Sequence, residues 1–219
     1  MNKQGPGKIE WCDFTWSPVS GCLHGCTYCY ASAMAHRFKK SFEPAFHPDR
    51  LKEVEKVPAG SKVFVVSNGD LFGDWVPTEW VEKVLEATAT RPDVTWQFLT
   101  KNPSRYAEFN PWPENVWLGA TAIDTDMLHE AQKGFWELEC GLKYISFEPV
   151  MDNCWGSGYI YSWFDWGIIG AMTGKGAIPP GDRRICELYS DLREHHIPVF
   201  MKSNIKPYWN GAFVQEFPK

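Results

Sequence analysis

Short apolar segments alternate with helical segments along most of this chain, and that alternation limits the folds it can adopt. Strands are predicted at 13–19, 62–67, 94–100, 116–121, 142–147, 166–170 and 198–201. Helices are predicted at 31–38, 77–88, 103–109, 124–138 and 182–196. Strands that are apolar throughout and are separated by helices indicate a parallel sheet buried on both faces.

Two α/β architectures satisfy this order of elements: an incomplete (β/α) barrel and a doubly wound sheet. We favour the incomplete barrel, with parallel strands and outer helices, because a cysteine-rich loop follows the first strand and polar residues end the later ones. The 219 residues are most simply one domain, 1–219. Within it, 205–219 contains two prolines and a glycine and is predicted to be an irregular C-terminal tail.

Three cysteines follow the first predicted strand with the spacing Cys-x3-Cys-x2-Cys: Cys22, Cys26 and Cys29. So compact a loop can bring three thiolates to one point. A four-iron cluster usually has four cysteine ligands, so three would leave one iron open to bind a further ligand. We therefore predict that these cysteines hold a [4Fe-4S] cluster.

Zinc is the main alternative for this loop. A structural zinc site would need a fourth ligand, commonly from a second Cys or His pair. His36, seven residues after Cys29, could complete such a site, whereas His24 lies between the first two cysteines and cannot easily share their metal. An electron-transfer cluster is a further alternative. Because no apolar run reads as a signal peptide, we expect the seven cysteines to be reduced thiols in metal or redox use, not disulfides.

Polar residues follow the predicted strands at their carboxyl ends, where chemistry collects in parallel α/β folds. These residues are Ser67, Asn68, Gly69, Asp70, Lys101, Thr121, Glu148 and Lys202. Lysines and carboxylates are costly to bury without a partner. We therefore expect the group to meet around a zwitterionic, hydroxyl-bearing ligand. The alternative is a structural network in which the two lysines pair with Asp70 and Glu148.

The cysteine loop resembles the signature of the radical S-adenosylmethionine (SAM) superfamily, with Tyr28 directly before the third cysteine. Segments 9–22, 63–73, 98–105, 116–119 and 145–149 resemble a phage- and prophage-carried radical-SAM-like family of uncharacterised function. That family is itself similar to spore photoproduct lyase. The resemblance implies a partial (β/α)6-type barrel with a four-iron cluster. It also implies that the open iron chelates SAM, and that an electron from the cluster splits SAM into methionine and a 5′-deoxyadenosyl radical.

The resemblance also implies roles at the strand ends. Lys101 and Thr121 would contact SAM: a lysine suits its carboxylate, a backbone edge suits its amino group, and small hydroxyls suit its ribose. The cofactor-binding residues are thus predicted to be Tyr28, Ser67, Asn68, Gly69, Lys101 and Thr121. The catalytic residues, near the adenosyl carbon, are predicted to be Asp70, Glu148 and Lys202.

Two positions depart from the family pattern. The stretch 170–173 reads Gly-Ala-Met-Thr where the family usually has Gly-Gly-Glu-Ser, so a carboxylate is missing there. Ser67 stands where the photoproduct lyases carry a hydrogen-donating cysteine. Repair of thymine dimers is therefore not expected. Cys154, after the strand that ends at Glu148, is a candidate hydrogen-atom donor.

The function expected is reductive cleavage of SAM and abstraction of hydrogen from an unidentified substrate, such as a nucleobase or a nucleotide-derived compound. One alternative is a compact small-molecule enzyme of the deazapurine-synthesis type. Another is a non-catalytic Fe–S or zinc-binding phage factor. A low-potential electron donor of the flavodoxin or ferredoxin type is the expected redox partner.

Charge and hydropathy limit which further partners are expected. The formal net charge of −5 argues against a broadly basic surface for nucleic acid, although a local contact stays open. The one basic segment, 36–40, is most simply the solvated end of a helix. No apolar run reads as a signal peptide or a membrane span, so a cytoplasmic location without membrane contact is expected.

Overall fold

The computed structural model describes residues 1–151, 163–174 and 176–219, so Cys154 lies outside the described residues. The strands are β1 (Asn2–Lys3), β2 (Phe14–Trp16), β3 (Val19–Ser20), β4 (Ala45–Phe46), β5 (Lys62–Val65), β6 (Thr95–Thr100), β7 (Val116–Thr121), β8 (Leu142–Phe147), β9 (Trp166–Ile169) and β10 (Val199–Met201). The α-helices are α1 (Tyr30–Arg37), α2 (Thr78–Ala89), α3 (Thr125–Phe135) and α4 (Asp182–Glu194). Three 3-10 helices span Pro48–Lys56, Pro103–Phe109 and Ser203–Tyr208.

The main sheet has eight strands in the order β1-β2-β5-β6-β7-β8-β9-β10. The short strand β1 is antiparallel to β2, and the other pairs are parallel. From β6 onward each strand pairs with the strand before it in the chain, so the sheet grows in one direction. A doubly wound sheet would reverse its strand order. The fold is therefore α/β with a mostly parallel, singly wound sheet.

Two hydrophobic clusters cover the two faces of this sheet. Val63 and Val65 belong to the cluster that includes the buried faces of α2, α3 and α4, whereas Phe64 between them belongs to the other. This alternation follows from the two-residue period of a strand. The second cluster consists of Trp11, Cys12, Phe64, Leu142, Tyr144, Trp166, Ile168 and Phe200. None of its strand residues is the last residue of its strand, which leaves the carboxyl ends to other side chains.

The helices form where an apolar face meets the sheet. In α4, Ile185, Leu188 and Leu192 are fully buried, at the spacing of one helical face. The carboxylate of Asp124 caps α3 by accepting a hydrogen bond from the Met127 amide at 2.8 Å. The helix predicted for 124–138 ends earlier, at Phe135, and the one predicted for 103–109 is a 3-10 helix. Among the helices in the described ranges, none combines the length and apolar character that crossing a bilayer requires.

The C-terminal segment, predicted to be irregular, starts with a 3-10 helix and then runs along the edge of β10. The Met201 amide donates to the Val214 carbonyl, and the Glu216 amide donates to the Val199 carbonyl, both at 2.9 Å. Phe217 packs on Trp166 with ring centres 5.4 Å apart. The segment thus covers an edge strand that would otherwise present unpaired backbone groups.

Candidate functional site

A cavity of about 210 Å³ lies at the carboxyl ends of the parallel strands. Its lining brings together Cys22, Cys26, Tyr28, Cys29, Ser67, Gly69, Asp70, Lys101, Thr121, Glu148 and Lys202, all of which the sequence predicts to be site residues. Asn68, predicted with them, is exposed and lies outside the lining; its carbonyl accepts a hydrogen bond from the Gly21 amide at 3.0 Å. The floor of the cavity includes Trp11 and Phe64, which belong to the second hydrophobic cluster.

The cysteine loop presents one side to the cavity and the other to solvent. The loop residues that line the cavity are Cys22, His24, Cys26, Tyr28 and Cys29. The residues between them, Leu23, Gly25 and Thr27, are exposed. The loop therefore separates the cavity from solvent, with three thiols and a histidine on its inner side and Leu23 on its outer side.

Two glycines fix this loop against the end of β5. Gly21 has a φ of 85°, and a Cβ there would lie 2.2 Å from the Glu43 carbonyl oxygen. A Cβ on Gly69 would lie 2.6 Å from the Gly21 carbonyl oxygen. The two glycines form an isolated parallel bridge. Only residues without a Cβ permit this approach, which sets Cys22 beside the strand end.

The third cysteine begins α1. The Cys29 Sγ accepts a hydrogen bond from the Ser32 amide at 3.4 Å and so caps the helix. At Cys22, burial raises the pKa of the thiol to about 11. A bound metal cation would oppose that effect by favouring the thiolate.

The three thiols of the loop are the donors with which a metal site can be compared. Among the described side chains, no group of three His, Cys, Asp or Glu residues is placed to hold one metal ion. In a four-iron cluster each thiolate binds a different iron. Because all three cysteines line one cavity, each could hold one iron of such a cluster.

Lys101 extends from the end of β6 toward the cysteine loop. Its Nζ donates a hydrogen bond to the Tyr28 hydroxyl at 2.9 Å and lies 5.2 Å from the centre of the Tyr28 ring. Burial lowers the pKa of Lys101, while the neighbouring Cys26 and Asp70 act in the opposite direction. Burial also raises the pKa of Tyr28, which lies close to Cys26. An anion in the cavity would stabilise this ammonium group, because it would replace lost hydration.

Asp70 is buried and accepts four hydrogen bonds. Its donors are the His24 ring at 2.8 Å, the Thr100 hydroxyl at 2.7 Å, and the amides of Lys101 and Phe72, both at 3.0 Å. These contacts join the cysteine loop to the ends of β5 and β6. The catalytic role expected for Asp70 stays a prediction; the contacts themselves indicate that it positions the loop.

The sequence analysis missed His24 as a partner of Asp70. The His24 ring also packs edge-on against Trp75, with ring centres 4.7 Å apart. One signal was available in the sequence. His24 lies two residues from Cys22 and two from Cys26, so in an extended loop it shares their side.

Glu148 and Lys202 form an ion pair at the far end of the cavity, after β8 and β10. Both side chains are partly exposed, at 26% and 17%. Gly170 leaves room for the pair, since a Cβ there would lie 2.8 Å from the Glu148 carboxyl carbon. Of the structural network considered as an alternative, the pair of Lys202 with Glu148 is therefore present. The ammonium group of Lys101 instead donates to the Tyr28 hydroxyl.

Comparison with known proteins identifies the family. Residues 6–210 match the model of DUF5131, described as a protein of unknown function. The chain belongs to the DUF5131 family. No curated protein matches its sequence.

Two solved structures of spore photoproduct lyase resemble this DUF5131 chain. One is a cysteine-to-serine variant, and the other is a double variant with bound AdoMet and dinucleoside spore photoproduct. Each is 12% identical, has a TM-score of 0.57, and is matched over 99% of this chain and 78% of its own. At this level of identity the likeness concerns the fold.

Proposed function

We propose that this DUF5131 protein is a radical SAM enzyme, with a partial (β/α)6-type barrel whose cavity holds a [4Fe-4S] cluster and SAM. One observation carries the proposal: all three cysteines of the Cys-x3-Cys-x2-Cys loop line the same cavity as Lys101 and Thr121. The fold of spore photoproduct lyase, one structure of which contains AdoMet, supports it.

The bound cluster would supply an electron that splits SAM into methionine and a 5′-deoxyadenosyl radical, which takes a hydrogen atom from the substrate. Cys22, Cys26 and Cys29 would each hold one iron and leave the fourth open. The backbone bridge between Gly21 and Gly69 keeps the first of these thiolates beside the strand end. Orientation of the cofactor is thus the work of the loop and the strand that it contacts.

Lys101 and Tyr28 would bind the carboxylate of SAM. The ammonium group of Lys101 is half-buried, and the Tyr28 hydroxyl holds it toward the cysteines. The backbone carbonyl groups from Ser67 to Gly69 would accept hydrogen bonds from the amino group of SAM. The Ser67 carbonyl already accepts from the Tyr30 hydroxyl at 2.7 Å, but a carbonyl has a second lone pair. Thr121, at the end of β7, would contact the ribose.

Glu148 and Lys202 would bind the substrate. Together they offer an acceptor and a donor, which complement the polar edge of a nucleobase or a nucleotide-derived compound. The apolar floor formed by Trp11, Phe64 and Leu99 would exclude water from the reacting centre. Such exclusion prevents side reactions of a reactive intermediate.

Anaerobic reconstitution tests this proposal. Native protein should bind about four iron and four sulfide per chain and form 5′-deoxyadenosine when given dithionite and SAM. Replacement of Cys22, Cys26 and Cys29 together by Ala should abolish both. Cys186→Ala is the matched control, because Cys186 is exposed on α4. Iron retained by the triple variant, or one zinc in the native protein, would contradict the cluster; a cluster without 5′-deoxyadenosine would indicate a non-catalytic Fe–S protein.

A further inference from the structure

Large exposed apolar residues concentrate beside the cysteine loop. Of seven such residues in the described part of the chain, four lie between positions 23 and 38: Leu23, Tyr30, Met34 and Phe38. Each is about half exposed or more. Single exposed apolar residues need no explanation, but a concentration of them marks an interaction surface.

Helix α1 and its C-cap residue carry three of these residues. Met34 and the C-cap residue Phe38 lie four residues apart on one helical face, and Tyr30, one turn before Met34, lines the cavity edge and donates its hydroxyl to the Ser67 carbonyl. None of the residues of α1 is buried. A helix of eight residues is marginal by itself and takes most of its stability from packing. This face of α1 is therefore suited to being covered by another molecule.

A basic segment adjoins these apolar residues. Arg37, Lys39 and Lys40 are exposed and flank Phe38, whereas the whole chain has a net charge of −5. The Arg37 guanidinium lies 5.9 Å from the centre of the Phe38 ring. A partner that approaches this local positive charge gains most if its own contact surface is acidic.

Leu23, Met34 and Phe38 lie outside the cavity lining, although they are close in sequence to the three cysteines. Cys29 caps α1, so Phe38, nine residues later, lies about 14 Å along the helix. Leu23 directly follows Cys22 and faces outward from the thin loop, while its neighbours face inward. A molecule bound outside the loop would approach the cluster and leave the cavity to SAM and substrate.

We propose that an acidic protein that donates one electron at a time, of the flavodoxin type, docks on this outer loop surface, defined as Leu23, Met34, Arg37, Phe38, Lys39 and Lys40. The proposal rests on the proposed function. In the transfer, the reduced flavin of the donor loses one electron and the oxidised cluster gains it, with no bond made or broken. The apolar residues supply burial, and the cations supply orientation and rate of encounter.

The test measures binding of an acidic flavodoxin to reconstituted protein by calorimetry at low and moderate salt. Lys39→Glu with Lys40→Glu should weaken binding at least tenfold, and Phe38→Ser should weaken it too. The matched control, Lys52→Glu with Lys56→Glu, changes charge equally at two exposed lysines of another element and should stay within twofold of native. Native affinity should fall as salt rises.

A second readout separates docking from chemistry. The Lys39/Lys40 variant should form 5′-deoxyadenosine normally with dithionite and slowly with reduced flavodoxin. Equal flavodoxin affinity for both double variants would overturn the docking proposal. The docking proposal would also be overturned if the Lys39/Lys40 variant bound flavodoxin like the native protein but had lost affinity for a single-stranded oligonucleotide or had lost self-association. No 5′-deoxyadenosine from native protein with dithionite would instead contradict the proposed function, because the binding data decide docking independently.

Discussion

The two ends of the cavity differ in how their charged side chains are held. At the near end, beside the cysteine loop, Asp70 is 4% exposed and accepts from a histidine, a hydroxyl and two amides. At the far end, the partly exposed Glu148 and Lys202 pair with each other beside Gly170. A buried group with all its partners in place keeps one geometry, while a partly exposed ion pair is less constrained.

This difference matches the division of labour in the proposed reaction. In that proposal the cluster stays bound through every turnover and would need a fixed site, such as the near end. A substrate that enters and leaves would need polar groups that can change partners, such as those of the far end. The stretch 170–173, which departs from the family pattern, borders the far end: Ala171, Met172 and Thr173 line the cavity there.

Asp70→Asn is expected to have the largest effect on stability, because it disrupts the hydrogen bonds that Asp70 accepts at the near end. The Asn side chain keeps one acceptor oxygen, but its NH2 group replaces the other oxygen and would face groups that themselves donate hydrogen bonds. We expect a loss of about 2–4 kcal/mol in the free energy of unfolding. For a chain of this size the melting temperature should fall by about 5–12 °C, measured by circular dichroism.

Asp74→Asn is the matched control for this change. Asp74 is an exposed carboxylate that accepts a hydrogen bond from the Asn102 side chain at 2.7 Å. Its substitution should shift stability by at most about 0.5 kcal/mol. If Asp70→Asn leaves the melting temperature unchanged but stops substrate turnover, Asp70 acts in catalysis and the contrast between the two ends fails.

The same contrast shows what the sequence could predict. Helix α4 and strand β8 follow from local patterns, since the apolar spacing of each is set by its own residues. The polar strand ends were likewise readable, and the cavity brings most of them together. The partners of Asp70 were not readable, because His24 and Thr100 lie far away in the chain. The close approach of Gly21 and Gly69 depends on folding in the same way.

Lys101→Ala sharpens the comparison by testing the near end as a cofactor site. The change removes the ammonium group proposed to meet the SAM carboxylate. A charge-assisted hydrogen bond contributes roughly 1.5–3 kcal/mol, so SAM affinity should fall about ten- to a hundredfold. Iron and sulfide content should stay at the native level. Equilibrium dialysis with labelled SAM measures the affinity, and Lys143→Ala, a lysine at the other end of the sheet, serves as control. Unchanged affinity would remove Lys101 from the cofactor site.

Glu148→Gln has the smallest expected effect on the folded protein and therefore tests the far end most selectively. The pair is partly exposed, so its loss should cost about 0–1 kcal/mol, within about 3 °C in melting temperature. SAM affinity and dithionite-driven formation of 5′-deoxyadenosine should stay within twofold of native, because the near end is untouched. Turnover of the true substrate should stop, since a neutral amide cannot replace the carboxylate as charge partner. A drop in melting temperature above 10 °C with turnover retained would show instead that the far end is as rigid as the near end.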